Sequence, residues 1–285
     1  MGRSDKGHRL KIGRPRESEA RRARGRGRLL KAIGILVVAA FAAGLLAYLP
    51  PGQHLRDLAT GGSTAGPRTA VIVDQLSLSQ PNPDFAVSAR GLLEQAGYAV
   101  DYYPGEQVTV DFYRNLPKHG YDLIVLRVHS GITKEIDAVT GEETKTEYVS
   151  LFTGEPYDEK KHQYPEERLN SLGKAEYYPG APPLFGIAPD FIKYSMRGNF
   201  GKALIILMGC DGLRSQTTAQ AFLDKGASGF VSWSDRVSPS HTDAATEHLL
   251  RHLLLDGLAA PEAVARTMAE VGPDPDYAST LLYYP

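Results

Sequence analysis

The chain has 285 residues, 42% of them apolar, which is enough for one sizeable core. Its 29 glycines and 19 prolines are too few for a collagen-like or low-complexity polymer, and its single cysteine excludes an intramolecular disulfide framework and every multi-cysteine metal site. The net charge of -1 conceals two unequal parts: residues 1–31 carry twelve Lys/Arg against Asp5, Glu17 and Glu19, a net +9, whereas the remainder sets twenty basic against thirty acidic residues, a net -10.

Between these parts runs Ala32 to Leu49, AIGILVVAAFAAGLLAYL, 18 residues without a charge. At about 1.5 Å per residue this spans roughly 27 Å, close to the hydrocarbon thickness of a bilayer. The basic cluster lies on its N-terminal side, and residues 50–66 offer only Arg56 and Asp57 as charges. The positive-inside rule then predicts a single transmembrane helix over 32–49, a cytoplasmic N-terminus over 1–31 and an exported remainder. A cleaved signal peptide fits less well, because its apolar core is usually shorter and Tyr48-Leu49-Pro50-Pro51 is a poor small-residue cleavage site. A buried core helix is the third reading. Arg-rich arms also bind phosphate, but this one lacks interleaved aromatics; attraction to anionic lipid headgroups explains it more simply than nucleic-acid binding. The bilayer is thus the partner expected of residues 32–49. Residues 50–67, rich in Gly, Pro, Ser and Thr, read as a linker.

Residues 68–285 alternate short apolar runs with amphipathic stretches. The pattern predicts strands at Thr69–Asp74, Ala99–Tyr103, Tyr121–Val128, Ala203–Met208 and Gly229–Trp233, with a last one at Leu281–Tyr284. Helices are predicted at Phe85–Gly97, Val110–Leu116, Leu213–Asp224, His241–Leu255 and Pro261–Val271. Strands separated by helices imply an α/β domain, a mostly parallel sheet with helices on both faces. Residues 132–200 form an insert carrying six tyrosines together with Lys160, Lys161 and His162. A connection this long in a compact domain is a functional lid or a partly folded subdomain, and the expectation is that it covers the site. Lys160-Lys161 also offers a basic pair for proteolytic cleavage, although exposed basic pairs are common.

In open α/β sheets, ligands bind outside the carboxyl ends of the strands. The third strand ends in His129-Ser130-Gly131 and the fourth in Gly209-Cys210-Asp211-Gly212. If these strands are neighbours, a thiol and an imidazole face one crevice. The thiolate can then attack a carbonyl while the imidazole protonates the leaving amine. Flanking glycines let substrate approach backbone N–H groups that stabilise an oxyanion. A lone cysteine also serves as a small buried apolar residue, and a lone histidine is commonly structural.

At these residues the sequence resembles the caspase-like cysteine peptidases: caspases, legumains, gingipains, clostripain and separase. The resemblance covers about residues 68–272 and is strongest in YDLIVLRVHSG and ALIILMGCDG. It also extends to AFLDKGASGFVSWSD, since bacterial members have a strand near the cysteine that ends in Trp. It implies His129 as catalytic base and Cys210 as nucleophile. Two departures stand out: Ser130 replaces the usual glycine after the histidine, so that the oxyanion donors the resemblance implies are Ser130 or Gly131 alongside Cys210, and the His-to-Cys interval is 81 residues against about 50 in caspases. By the same resemblance Ser232, Trp233 and Asp235 line the substrate pocket, where Asp235 selects Arg or Lys. Asp74, ending the first strand, is a second candidate. The expected activity is hydrolysis of peptide or protein substrates by a membrane-anchored, extracytoplasmic Cys/His endopeptidase; the alternative is an inactive binding or scaffolding module of the same fold at the cell surface.

Other chemistry finds no support. His248 and His252 stand at i, i+4, but Glu247 lies outside the pair and no third ligand is evident, so the reading is a solvated helix face and no metal. No nucleophile elbow, P-loop or dinucleotide fingerprint occurs, and no cofactor is expected.

Overall fold

A computed structural model describes residues 67–136, 143–162 and 171–285. The chain separates into two units, 1–64 and 65–285, and every described residue belongs to the second. The cytoplasmic segment 1–31, the transmembrane segment 32–49 and the linker up to residue 66 lie outside the described residues. No helix among the described residues is long and apolar enough to cross a membrane.

The main sheet has six strands, in chain order β1 (Thr69–Asp74), β2 (Ala99–Pro104), β3 (Leu123–Arg127), β8 (Leu204–Leu207), β9 (Gly229–Trp233) and β10 (Leu281–Tyr284). Their spatial order is β10-β9-β8-β3-β1-β2. Five are parallel; β10 alone runs antiparallel, along the edge of β9. The central strands are buried on both faces, as their unbroken apolar runs require. Alternate residues feed two cores. Ala70, Ile72, Val125, Ile206 and Val231 pack against α1 (Pro83–Gln95), α4 (Pro239–Leu254) and α5 (Ala260–Val271). Val71, Val73, Ile124, Leu126 and Leu207 pack against α2 (Val110–Asn115) and α3 (Thr217–Asp224).

Helix starts follow local chemistry. Asn82 accepts from the Phe85 amide and Pro83 opens α1, so the helix begins two residues before the apolar period does. Pro239 likewise opens α4 ahead of His241. Conversely, Leu213 to Gln216 is a turn rather than helix, and α3 starts only at Thr217.

The insert is where the sequence reading was least complete. It contains a second sheet of four antiparallel strands, β4 (Ser130–Ile136), β5 (Glu143–Pro156), β6 (Leu172–Ala175) and β7 (Leu184–Ile187), in the order β4-β5-β7-β6. Its β4 begins immediately after His129. Leu151, Phe185 and Ile187 join the core on the α2–α3 side, so this sheet is a packed part of the domain.

Candidate functional site

The chain runs out from β1 to β2 on one side of β1, then crosses to place β3 on the other. That reversal puts a crevice at the carboxyl ends of β1 and β3, where open parallel sheets bind ligands. Leu126 pairs with Leu207 in the β3–β8 ladder. His129 and Cys210 each stand three residues beyond that pair, past the ends of these adjacent strands. Both line one groove of about 1870 Å³. Its other walls come from the second sheet (Tyr148, Ser150, Phe152 and Leu172 to Tyr178) and from Asp211, Arg214 and Val237. The insert therefore forms a wall of the groove.

Each strand end is fixed by contacts that leave little freedom. A Cβ on Gly209 would lie 2.2 Å from Ser130 Oγ and 2.4 Å from the Val128 carbonyl, so only glycine permits the two strand exits to approach this closely. The Ser130 hydroxyl then donates to the Cys210 carbonyl at 2.7 Å. Asp211 follows in the left-handed region, at φ 62°. Its amide donates to the Asp235 carbonyl and its carbonyl accepts from the Arg214 amide, so the turn is over-determined. A Cβ on Gly212 would meet Ser232 Oγ at 2.0 Å.

His129 is held from three directions. Its backbone amide donates to Gln75 Oε1 at 2.9 Å, and Gln75 Nε2 in turn donates to the Tyr177 hydroxyl at 2.9 Å. Its Nε2 meets Ser79 Oγ at 2.9 Å. The ring packs 4.5 Å from Tyr177 and 5.8 Å from Phe152, centroid to centroid. Burial, aided by the nearby Arg127 charge, pushes its pKa down to about 4, so the imidazole is neutral at pH 7. The Cys210 thiol donates to the Val237 carbonyl at 3.7 Å. Burial pushes its pKa up, and the Asp211 charge adds to this against the Val237 contact and Arg236. No hydrogen bond joins His129 to Cys210 among the described residues. The resting groups are a neutral thiol and a neutral imidazole rather than an ion pair.

The backbone donors divide in the same way. The Phe152 amide donates to the His129 carbonyl, which makes Ser130–Leu151 a non-hydrogen-bonded pair of the antiparallel ladder and Gly131–Ser150 a hydrogen-bonded one. The Gly131 amide is thus directed at β5, while that of Ser130 points away from it.

Of the residues expected in the substrate pocket, three are turned inward. Asp74 is buried and accepts from Arg127 Nη1 at 2.8 Å and from the Tyr102 hydroxyl at 2.8 Å. Ser232 is buried and donates to the Leu207 carbonyl. Trp233 is buried beneath the groove and donates through Nε1 to Thr242 Oγ1 at 2.9 Å. Each has its polar atoms satisfied inside the protein, and none lines the groove. Asp235 is half exposed, but its carboxylate is taken by Arg214 at 3.0 Å and the Arg236 amide at 2.8 Å. Two acidic side chains do line the groove: Glu176, which is paired with Lys174, and Asp211, whose pKa burial raises despite Arg214 at 3.2 Å.

Gln75, Ser79, Phe152 and Tyr177, which position His129, carry no signature in the sequence. The nearest signal is the alternation of buried Val149, Leu151 and Thr153 with half-buried Ser150 and Phe152, which marks β5 as a strand with one face on the site.

The face bearing His248 and His252 is only partly solvated, since His248 is half-exposed and His252 is not. α5 packs against α4 there, His252 is buried, and Glu270 of α5 meets both histidines.

The described domain is thus an α/β protein with a mostly parallel sheet and a groove of mixed polar and apolar lining at its carboxyl edge. Comparison of the sequence with protein-family models and with curated proteins gives no match.

Proposed function

We propose that this groove is the site of a thiol-dependent peptide hydrolase, with Cys210 as nucleophile and His129 as its proton partner, in a domain of the caspase-like type. The observation that carries the reading is the placement of both residues just past the ends of adjacent parallel strands, in the lining of one groove. Because thiol and imidazole are both neutral at rest, the reaction begins with transfer of the Sγ proton to the imidazole as sulfur bonds to the substrate carbonyl carbon. The imidazolium then protonates the departing amine, and water cleaves the acyl-enzyme. The Ser130 and Cys210 amides are the oxyanion donors that this geometry favours. The 18 uncharged residues 32–49, preceded by the basic segment 1–31, support a single-pass anchor with the groove on the extracytoplasmic side.

The test is hydrolysis of a peptide library, diverse at the residue before the scissile bond, by the full-length protein in detergent. Turnover that disappears in Cys210→Ala and in His129→Ala, with folding intact by circular dichroism, is the expected result. Turnover that survives Cys210→Ala overturns it. The Sγ contact to the Val237 carbonyl and the raised thiol pKa favour a second reading, a groove that binds peptide without cleaving it. In that case wild type and Cys210→Ala bind the same library members equally and neither turns them over.

A further inference from the structure

Outside the lining of the groove, α4 and α5 bring together His248, His252 and Glu270, with one ligating atom from each lying within 4.8 Å of the others. Glu270 Oε2 is 2.9 Å from His248 Nδ1 and 3.0 Å from His252 Nε2. A fourth group completes the cluster: Asp256 Oδ2 lies 2.7 Å from His252 Nδ1. The His252 side chain is 4% exposed, whereas His248 is 44% and Glu270 37% exposed, so the cluster has one buried anchor and one side open to water.

The two nitrogens of His252 both face carboxylate oxygens, yet a neutral imidazole has one N–H to give. When Nδ1–H serves Asp256, Nε2 points a lone pair at Glu270 Oε2, and a positive centre, a second proton or a metal ion, is needed between them. The carboxylate that orients an imidazole through its far nitrogen is the usual companion of a metal-bound histidine. Tetrahedral zinc, with bonds of about 2.0–2.1 Å, separates its ligand atoms by about 3.3 Å; the two spacings from Glu270 to the histidines are within a few tenths of an ångström of this, and the histidine nitrogens lie within 4.8 Å of each other. We propose that His248, His252 and Glu270 bind one divalent transition-metal ion of the zinc type, with Asp256 orienting His252 and water taking the exposed fourth position. Two imidazoles and one carboxylate suit zinc over calcium or magnesium, which prefer all-oxygen sets. Arg266 Nε lies 3.4 Å from the other carboxylate oxygen, Oε1, and leaves Oε2 to the ion.

The consequence is mechanical. The ion ties α5 to α4 just ahead of the segment from Gly272 to Thr280. That segment braces the groove side: Asp274 accepts from the Ser238 amide, and Ser279 Oγ accepts from the Asp235 amide. The proposal does not depend on the hydrolase reading.

The experiment titrates Zn2+ into chelator-stripped full-length protein by calorimetry, and repeats the titration with Co2+ under optical spectroscopy. Expected are one tight site per chain, binding at least tenfold weaker in His248→Ala and in Glu270→Gln, and about tenfold weaker in Asp256→Asn. Both first-named positions are exposed enough for the variants to fold, which circular dichroism checks. The Co2+ spectrum should lack a thiolate charge-transfer band, and Cys210→Ser should bind as wild type does. Absence of zinc binding, binding unaffected by both His248→Ala and Glu270→Gln, or a thiolate band lost in Cys210→Ser overturns the assignment.

Discussion

Replacing Arg127 by Leu should destabilise the domain more than any other single charge removal beneath the groove. Arg127 is 1% exposed and its guanidinium is fully committed. Nη1 donates to Asp74 at 2.8 Å, Nε and Nη2 donate to the two oxygens of Asp243 at 2.8 and 2.9 Å, and Nη2 also donates to the Gln80 carbonyl at 2.9 Å. The leucine strands two buried carboxylates and a carbonyl without their cation. Breaking a buried pair from one side in this way costs about 3–5 kcal/mol, because the remaining charge keeps its desolvation penalty. The exposed pair Arg90–Glu94, with both side chains 51% exposed, provides the internal control; Arg90→Ala should cost at most about 0.5 kcal/mol. Urea unfolding of the purified chain, followed by circular dichroism, separates the two cases. With a slope of about 2–3 kcal/mol per molar, Arg127→Leu lowers the midpoint by about 1–2 M and Arg90→Ala by about 0.2 M. An Arg127→Leu variant within about 1 kcal/mol of wild type would refute the claim that this cation holds β1, β3 and α4 together.

Two further outcomes follow from the site geometry. The folded pKa of His129, about 4, lies below its ordinary 6.5, so the unfolded chain takes up a proton there first as pH falls. The stability this histidine's neutral state supports is therefore present above pH 6.5 and is lost progressively toward pH 4, by roughly 3 kcal/mol at full development. Unfolding free energies at pH 7 and pH 4.5 should differ more in wild type than in His129→Gln by roughly 2 kcal/mol; equal pH dependence would contradict the burial argument. Glycine substitutions should split by position. Gly209→Ala drives its Cβ into the Val128 carbonyl, which cannot move aside, and costs about 1–3 kcal/mol. Gly91→Ala, on α1 with nothing within 4 Å, gains about 0.5–1 kcal/mol from helix propensity. Thermal unfolding of both variants checks the contrast.

The amino-acid order was sufficient for the main sheet and for placing His129 and Cys210 beyond the ends of adjacent strands, in the lining of one groove. Strands buried on both faces are written as unbroken apolar runs such as LIVL and LIIL, and the glycines at 209 and 212 mark where the chain must turn tightly. Helix starts shifted earlier where Pro83 and Pro239 supplied the first turn before the apolar period began, and later where Leu213 to Gln216 forms a turn ahead of α3. The second sheet was hidden because two of its strands are only four residues long, too short to show a period, and because β5 pairs with β7 rather than with the next strand in the chain. Tertiary structure alone decided the fate of the polar residues. Asp74, Ser232 and Trp233 stand near strand ends as substrate-binding residues would, yet each turns to an internal partner because burial leaves a polar atom no other solution. It likewise supplied Glu270 to His248 and His252: helical spacing brings two side chains to one face, but a third from another helix is set by packing, which no local pattern records.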